Sequence, residues 1–215
     1  MIIYIIISQF SGKMKFVKKW ILLRYLIQKN LIMVRKIGKV KTGWKMPLMP
    51  LPIGLLGAQI NGKPNFKTVV WFNMIHDNPP LIGVAMSKKH YTSPGIKQNR
   101  TFSINIPTSE MYVVTDYCGL HSGSKIDKSK EFELFYGDLK TAPMIKECSI
   151  NIECKLVDIK DFKNTELFIG EIIEIYSDEK FIKDKEPDVS NFNTFIFLMP
   201  HGPYRKMGDY LAEAY

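Results

Sequence analysis

Two apolar runs rich in β-branched and aromatic residues lie in the first half of the chain, at Phe66–Ile75 and Leu81–Met86. Neither run has the i, i+3, i+4 spacing of an amphipathic helix, so we predict that both are strands. Asp77-Asn78-Pro79-Pro80 separates them, and a Pro-Pro pair ends a helix and favours a turn. The pattern therefore predicts two neighbouring strands joined by a short connection.

The same pattern continues along the chain. Asn61-Gly62 follows an apolar run and predicts a hairpin, because both residues tolerate positive φ. Ser149–Phe162 alternates apolar and polar residues and predicts a half-buried strand that pairs with Glu166–Tyr176, where Gly170 predicts a bulge or a close approach. Further strands are predicted at Gly54–Ile60, Thr101–Ile106 and Asn193–Met199, and a charged loop at Ser177–Asp188.

Two short helices are predicted between these strands. The first covers Ser93–Asn99, with Ser93 as the N-cap and Pro94 in the first turn. The second covers Thr108–Tyr117, with Thr108 or Ser109 as the cap. Many strands with a few inserted helices predict a mainly β fold, a closed antiparallel barrel with Greek-key-like connections.

The charge of the chain is concentrated at its N-terminus. Of the thirty Lys and Arg residues, eleven lie in residues 1–45, which contain no Asp or Glu. Subtracting eleven from thirty leaves nineteen basic residues against twenty-one acidic ones, so the remainder is slightly acidic although the net charge is +9. We therefore predict a basic extension at residues 1–45 and one folded domain at residues 46–215, and the acidic balance of that domain argues against nucleic-acid binding.

The basic extension allows two interpretations. Lys13–Ile32 has the pattern of a basic amphipathic helix, which is typical of a membrane surface or of nucleic-acid binding. Alternatively, residues 1–32 are upstream sequence and the protein starts at Met33. The apolar run Ile2–Ile7 is too short to span a bilayer and lacks the features of a secretory signal.

The cysteines and histidines do not form a familiar catalytic or metal motif. The chain has three cysteines and no C-x-x-C pair, which argues against a disulfide framework or a zinc ribbon and favours a cytoplasmic protein. Cys118 and His121 are near each other in sequence, but no third residue orients them as a nucleophile and base. The four histidines lack metal-ligand spacing. The segment Gly57–Lys63 has the spacing of a P-loop, but Pro64 replaces the magnesium-binding hydroxyl and leads into a strand.

Polar residues gather at the end of the Leu81–Met86 strand. Hydroxyls, lysines and the start of the following helix suit a phosphate group. Asn65, Thr68 and Trp71 on the preceding strand add polar and aromatic groups, so a planar ligand with a phosphate tail fits. A plain barrel strand followed by a capped helix explains the same residues. The residues at the strand end are Ser87, Lys88, Lys89, Tyr91 and Thr92.

The order of these motifs resembles the flavin reductase-like family, and within it the flavoredoxins. The resemblance covers about Met46 to Tyr210. The residues that carry it are Asn61-Gly62-Lys63-Pro64-Asn65, Thr68, Trp71, Pro79-Pro80, Thr92, Asn105-Ile106-Pro107, Cys118-Gly119, Ser122-Gly123, Asp127-Lys128 and Phe168-Ile169-Gly170-Glu171. In one departure, Thr165 stands where the family often has a histidine.

The resemblance implies a split β-barrel that forms a homodimer and holds FMN noncovalently near the subunit interface. It also implies roles for individual residues around the flavin, the phosphate and the ring edge. The residues expected to line the flavin are Asn65, Thr68, Val69, Val70 and Trp71. The residues expected near the phosphate are Ser87, Lys88, Lys89 and Thr92. Lys128 and Tyr204 are expected to contact the cofactor elsewhere.

The implied function is an FMN-dependent oxidoreductase in which the cofactor carries the redox chemistry, so no catalytic acid, base or metal is expected. NADH or NADPH is one possible electron donor. Reduction by a redox protein partner, which would make the chain an electron carrier, is the alternative. A non-enzymatic module that binds nucleic acid or an anionic membrane through residues 1–45 is a third reading, of a different class.

Overall fold

The structure is a computed structural model that describes Arg24 and residues 38–43, 45–188, 192–200, 202–209 and 211–212. Its contacts divide the chain into two compact units, Met1–Lys45 and Met46–Tyr215. The helix predicted at Lys13–Ile32 lies outside the described residues except for Arg24, and so does Met33. Within the described ranges, no helix has the length and apolar content needed to cross a membrane.

Strands dominate the second unit. In chain order they are β1 (Met49–Pro52), β2 (Gly54–Ile60), β3 (Lys63–Val69), β4 (Phe72–Asp77), β5 (Pro80–Ser87), β6 (Thr101–Ile106), β7 (Leu134–Phe135), β8 (Met144–Ile145), β9 (Ile150–Asp161), β10 (Thr165–Ser177), β11 (Ile182–Lys183), β12 (Glu186–Pro187), β13 (Phe195–Met199) and β14 (Tyr204–Lys206). The helical elements are α1 (Ser93–Asn99), α2 (Tyr112–Leu120) and 3-10 turns at Ser109–Met111, Lys128–Glu131 and Glu179–Phe181.

The main sheet is antiparallel and has the strand order β3-β2-β6-β9-β10-β5-β4. The hairpin predicted at Asn61-Gly62 is confirmed, because Ile60 pairs with Lys63 and both turn residues have positive φ. The pairing of β9 with β10 is also confirmed. Within the described residues the edge strands β3 and β4 do not pair with each other. The barrel is therefore split between these two strands. The continuously closed barrel that the strand count predicted is not formed.

The single strand predicted at Phe66–Ile75 is wrong. β3 ends at Val69 and β4 begins at Phe72, and the chain crosses from one edge of the main sheet to the other at Val70 and Trp71. At the far side, the backbone of Trp71 accepts a hydrogen bond from the amide of Ala85 in β5. The sequence hides this break because the two connecting residues are themselves apolar and β-branched or aromatic.

The helices and the late loop also differ from prediction. α1 begins after Thr92, which occupies the N-cap position without a side-chain hydrogen bond, so Ser93 is not the cap. The helix predicted at Thr108–Tyr117 begins as a 3-10 turn and continues as α2 to Leu120. The predicted loop at Ser177–Asp188 contains a 3-10 turn and the paired strands β11 and β12.

A smaller antiparallel sheet, β1-β13-β14, joins the two ends of the second unit. Met49 to Pro52 of β1 pair with Met199 to Ile196 of β13, and Phe197 of β13 pairs with Tyr204 of β14. β13 begins at Phe195, two residues after its predicted start. This sheet presents Met199 and Tyr204 to the region where β3 ends.

Two buried apolar clusters fix these elements. The larger one fills the barrel, where a Cβ at Gly170 would lie 2.5 Å from Cζ of Phe102. The register of β9 and β10 shifts at Gly170, which confirms the predicted bulge and close approach. The second cluster packs Cys118 of α2 against Phe66 of β3. This packing holds the C-terminal end of α2 beside the polar face of β3.

Candidate functional site

A cavity of about 160 Å³ opens between β3, the turn after β5 and the end of α2. β3 supplies Asn65 and Lys67, which lie on one face of the strand, while Phe66 between them is fully buried in the core. The turn after β5 supplies residues 89–92, and the end of α2 with the following loop supplies residues 119–123. Lys128, in the 3-10 turn that follows, completes the wall.

Three lysines line the cavity, and two of them, Lys67 and Lys128, also donate hydrogen bonds to carbonyls at the C-terminal end of α2. Lys67 donates a hydrogen bond to the carbonyl of Gly119 at 2.6 Å. Lys128 donates to the carbonyls of Cys118 and His121, each at 3.1 Å. Carbonyls at a helix C-terminus lack helical partners and attract cations. Because an ammonium group has three protons, Lys67 keeps two donors and Lys128 keeps one for a ligand.

The electrostatics of the cavity favour an anion. Lys128 is only 1% exposed, and burial lowers its pKa to about 8. Burial also lowers the pKa of Lys67. The pKa of His90 is lowered by burial and then by the charges of both lysines. The residues around the cavity include no Asp or Glu, so a bound anion would relieve the mutual repulsion of the cations.

Two uncharged groups, the hydroxyl of Thr92 and the ring of His90, lie beside the lysines in the cavity wall. Asn65 donates from Nδ2 to the Thr92 hydroxyl at 2.9 Å, and both side chains are buried. Because Thr92 uses its oxygen as the acceptor here, its own proton is free to point into the cavity. The Nδ1 atom of His90 is buried without a hydrogen-bond partner. A buried polar atom without a partner costs free energy, so an oxygen-rich ligand at this position would be stabilised.

Gly123 makes this arrangement possible. A Cβ at Gly123 would lie 1.9 Å from Oδ1 of Asn65 and 2.9 Å from Cδ1 of Tyr91. Any larger residue would push Asn65 away and break its bond to Thr92. The glycine of the Ser122-Gly123 motif is therefore needed because the backbone approaches β3 closely.

Four of the five residues predicted to line the flavin, Thr68 to Trp71, lie at the end of β3 and in the break before β4. The fifth, Asn65, lies earlier in β3 and lines the cationic cavity instead. Thr68 donates a hydrogen bond from its hydroxyl to the carbonyl of Thr115 in α2. Val69 is buried and Val70 is half-buried. The Trp71 ring is 45% exposed, and its Nε1 donates to Sδ of Met199 at 3.3 Å. This stretch offers one apolar and aromatic wall that is open to solvent on its other side.

Tyr204 lies near the same region on β14. Its hydroxyl donates to Oδ1 of Asp116 in α2 at 2.6 Å. The ring packs edge-on against Phe195, with centroids 5.3 Å apart. Burial, and next the bond to Asp116, raise the pKa of Tyr204, so the phenol stays protonated and keeps donating. Tyr204 is therefore a fixed aromatic side chain within reach of α2.

The structure separates the predicted phosphate-end residues. Thr92 and Lys89 line the cavity, but Lys88 forms an ion pair with Asp161 at the end of β9. Ser87 accepts a hydrogen bond from the amide of Lys89 at 3.3 Å and does not line the cavity. A strand alternates its side chains, so consecutive residues at a strand end point in different directions. Thr165, which stands in place of the family histidine, pairs with Ser87 at the start of β10.

Sequence reasoning missed Lys67 and His90. The alternation of β3 could have identified Lys67, because it lies two residues after Asn65 on the same face. No pattern in the sequence indicates that His90 turns inward. Cys118 is not an activated nucleophile, because burial raises its thiol pKa to about 11, and His121 contacts the carbonyl of Tyr117 instead.

Comparison with known proteins shows the family of the chain and supports its fold. The family model described as Flavin reductase like domain matches residues 46–192. A crystal structure of flavoredoxin from Methanosarcina acetivorans is 44% identical, covers 83% of this chain and 96% of its own, and superposes with a TM-score of 0.80. Flavoredoxin of Desulfovibrio vulgaris (Miyazaki F) is 30% identical, with coverages of 83% and 98% and a TM-score of 0.77.

A third solved structure supports the fold alone. The FMN-binding protein from Thermus thermophilus with bound 1-cyclohex-2-enone is 22% identical, with coverages of 83% and 98% and a TM-score of 0.69. Together these matches confirm the split β-barrel implied by the motif order.

Proposed function

The chain belongs to the flavin reductase-like family, and from that premise we propose that it is an FMN-dependent oxidoreductase of the flavoredoxin type. The observation that carries this proposal is the cavity with three lysines, a histidine with an unpartnered buried nitrogen, and no carboxylate in its wall. Such a donor set fits a phosphate group, and it lies beside the apolar strand break where a flat ring can rest.

The chain's own residues would hold the phosphate in defined ways. Lys67 and Lys128 keep free ammonium protons for charge-assisted hydrogen bonds. Thr92 contributes its hydroxyl proton, and its position is fixed by Asn65. His90 offers a ring nitrogen that has no other partner. These groups come from β3, the turn after β5 and the turn after α2, so the cavity is preorganised by the fold.

The strand break would hold the isoalloxazine ring. Thr68 is tied to α2, and Trp71 is tied to β13, so the backbone of residues 68–71 is fixed at both ends. Val69 is paired with Gly54 of β2, whereas Val70 belongs to no strand, so the backbone of Val70 would bind and orient the polar edge of a flat ring. Bound FMN supplies the redox chemistry, while the chain binds it and controls its exposure to water.

A second copy of the chain would complete this site. The residues around the cavity would hold the phosphate end of FMN, and Trp71, against which the ring would rest, is 45% exposed. A homodimer whose subunit interface covers the strand break would exclude water from the ring. Sedimentation or light scattering of the FMN-loaded protein tests this; a monomer at micromolar concentration would contradict it.

The central experiment compares FMN with riboflavin, which has the same ring but lacks the phosphate. The purified full chain is examined by visible absorption and titrated with each flavin by fluorescence quenching. We expect a flavin absorption band and clearly tighter binding of FMN. No flavin band and no uptake of FMN would overturn the proposal, whereas equal affinity for the two flavins would show that the cationic cavity does not hold the phosphate.

The electron donor is tested by anaerobic mixing. Loss of the visible flavin band with NADH or NADPH would establish direct hydride transfer. If neither reduces the flavin while dithionite does, a redox protein partner is the donor and the chain is an electron carrier.

The three cysteines are free and buried, which agrees with a proposed cytoplasmic location.

A further inference from the structure

Three side-chain contacts link the end of β3, the helix α2 and the β13–β14 hairpin into one circuit. Thr68 donates to the carbonyl of Thr115 in α2. Its neighbour Asp116 accepts the hydroxyl proton of Tyr204 in β14 at 2.6 Å. The hairpin returns to the strand break through Met199, whose sulfur accepts from Trp71 at 3.3 Å. The circuit therefore surrounds the stretch that forms the proposed ring site.

Tyr204 is the point where this circuit is most constrained. Its ring packs against Phe195 at 5.3 Å and 86° and against Phe197 at 6.0 Å and 57°. These two contacts restrict the ring from within its own hairpin. The hydrogen bond from its hydroxyl to Asp116 ties Tyr204 to α2. Without it, the hairpin would remain folded but would lose this fixed distance from the helix.

We propose that Asp116 is a positioning residue that holds Tyr204, and with it the β13–β14 hairpin, as one wall of the flavin-ring site. This inference rests on the proposed function, because a ring must bind at the strand break for the wall to matter. Asp116 does not line the cationic cavity. Its loss should therefore change the surroundings of the ring and leave the grip on the phosphate intact.

The test uses the visible circular dichroism of bound FMN, which reports the asymmetry of the ring's surroundings and is independent of turnover. Asp116→Ala and Tyr204→Phe should each reduce the dichroism band. The double variant should show no further loss, because both changes remove the same bond. Asp116→Asn keeps an acceptor oxygen and should restore most of the band. FMN affinity should remain within about twofold, as expected for independent sites.

Glu110→Ala is the matched control. Glu110 accepts hydrogen bonds from Asn193 at 2.9 and 3.0 Å, so its loss loosens the segment before the same hairpin without touching Tyr204. This variant should keep the wild-type spectrum. A wild-type spectrum in Asp116→Ala, additive losses in the double variant, or an equal loss in Glu110→Ala would overturn the inference.

Failure of this inference and failure of the proposed function are distinguishable. If wild-type protein binds FMN tightly and the Asp116 and Tyr204 variants leave the spectrum unchanged, only the positioning role is rejected. If wild-type protein takes up no FMN, the proposed function is rejected and the positioning role is rejected with it.

Discussion

The two ends of the proposed site are built by opposite means. The cationic cavity is formed within one chain, and two of its lysines, Lys67 and Lys128, donate hydrogen bonds to carbonyls at the end of α2. The ring end is an apolar strand break where Trp71 stays 45% exposed and the polar contacts are few. If FMN binds as proposed, charge at the cavity would set the affinity for its phosphate, while the apolar wall would set the surroundings of its ring.

Lys128→Met should produce the largest difference between the two ends. Removing a buried charge that faces an anion costs about 2–5 kcal/mol, so FMN affinity should fall by at least tenfold while riboflavin affinity is unchanged. Fluorescence titration with both flavins measures this. Lys130→Met, an exposed lysine in the same 3-10 turn, is the control. An equal loss for both flavins would mean that the end of α2 has unfolded and that charge is not the cause.

Thr92→Ala should have the next largest effect. It removes one hydrogen bond to a charged ligand and leaves Asn65 without its acceptor, at a cost of about 1–3 kcal/mol in FMN binding. Isothermal titration with FMN and riboflavin checks that only FMN is affected. Thr92→Ser retains the hydroxyl and should bind nearly as tightly as wild type. Unchanged FMN affinity in the alanine variant would place the phosphate elsewhere.

The pH dependence of binding should distinguish the ends further. Because the pKa of Lys128 in the free protein is lowered to about 8, the side chain is charged below that pH and neutral above it. The phosphate of FMN is a dianion above about pH 6, so FMN affinity should be highest between these values. Above pH 8 it should fall by as much as about tenfold per unit.

Riboflavin binding should not change across the same pH range. Lys128→Arg, which stays charged, should move the fall in FMN affinity to higher pH. A flat FMN profile in wild-type protein between pH 7 and about pH 9.5 would contradict the role of Lys128, because that interval spans its lowered pKa.

Trp71→Ala should give the smallest effect on affinity. Loss of an aromatic contact costs about 0.5–1.5 kcal/mol, and it should weaken FMN and riboflavin equally and independently of salt. Stopped-flow or equilibrium fluorescence measures both. Trp71→Phe should recover most of the affinity. A selective loss of FMN would show that the ring and the phosphate are not held at separate ends.

The sequence was sufficient for the regular parts of the barrel. Asn61-Gly62 and the β9–β10 pairing follow from local turn chemistry and alternation, and the structure agrees. The break at Val70 and Trp71 could not be predicted, because apolar residues on both sides leave no turn signal. It depends on β3 and β4 joining opposite edges of the sheet, which is a tertiary property.

The candidate site was predicted less completely for a related reason. Thr92 and Lys128, which the resemblance assigned to the cofactor, both line the cavity, whereas Lys88 pairs with Asp161. The direction of a side chain at a strand end depends on the turn that follows, so Lys88 and Lys89 could not be told apart by residue type. The alternation of β3 is enough to place Lys67 on the same face as Asn65. The inward position of His90 is apparent only in the folded structure, because its neighbours Lys67 and Lys128 are distant in sequence.

Lys67 and Lys128 contact both the end of α2 and the cavity. Binding of FMN at the cavity would therefore change how well the backbone of α2 is protected from hydrogen exchange. Lys67 and Lys128 donate hydrogen bonds to carbonyls of residues 118–121. An anion that draws both ammonium groups into the cavity would weaken their hydrogen bonds to these carbonyls at the same time. Deuterium uptake at the last turn of α2 would then report whether FMN is bound, without use of the absorption or fluorescence of the flavin.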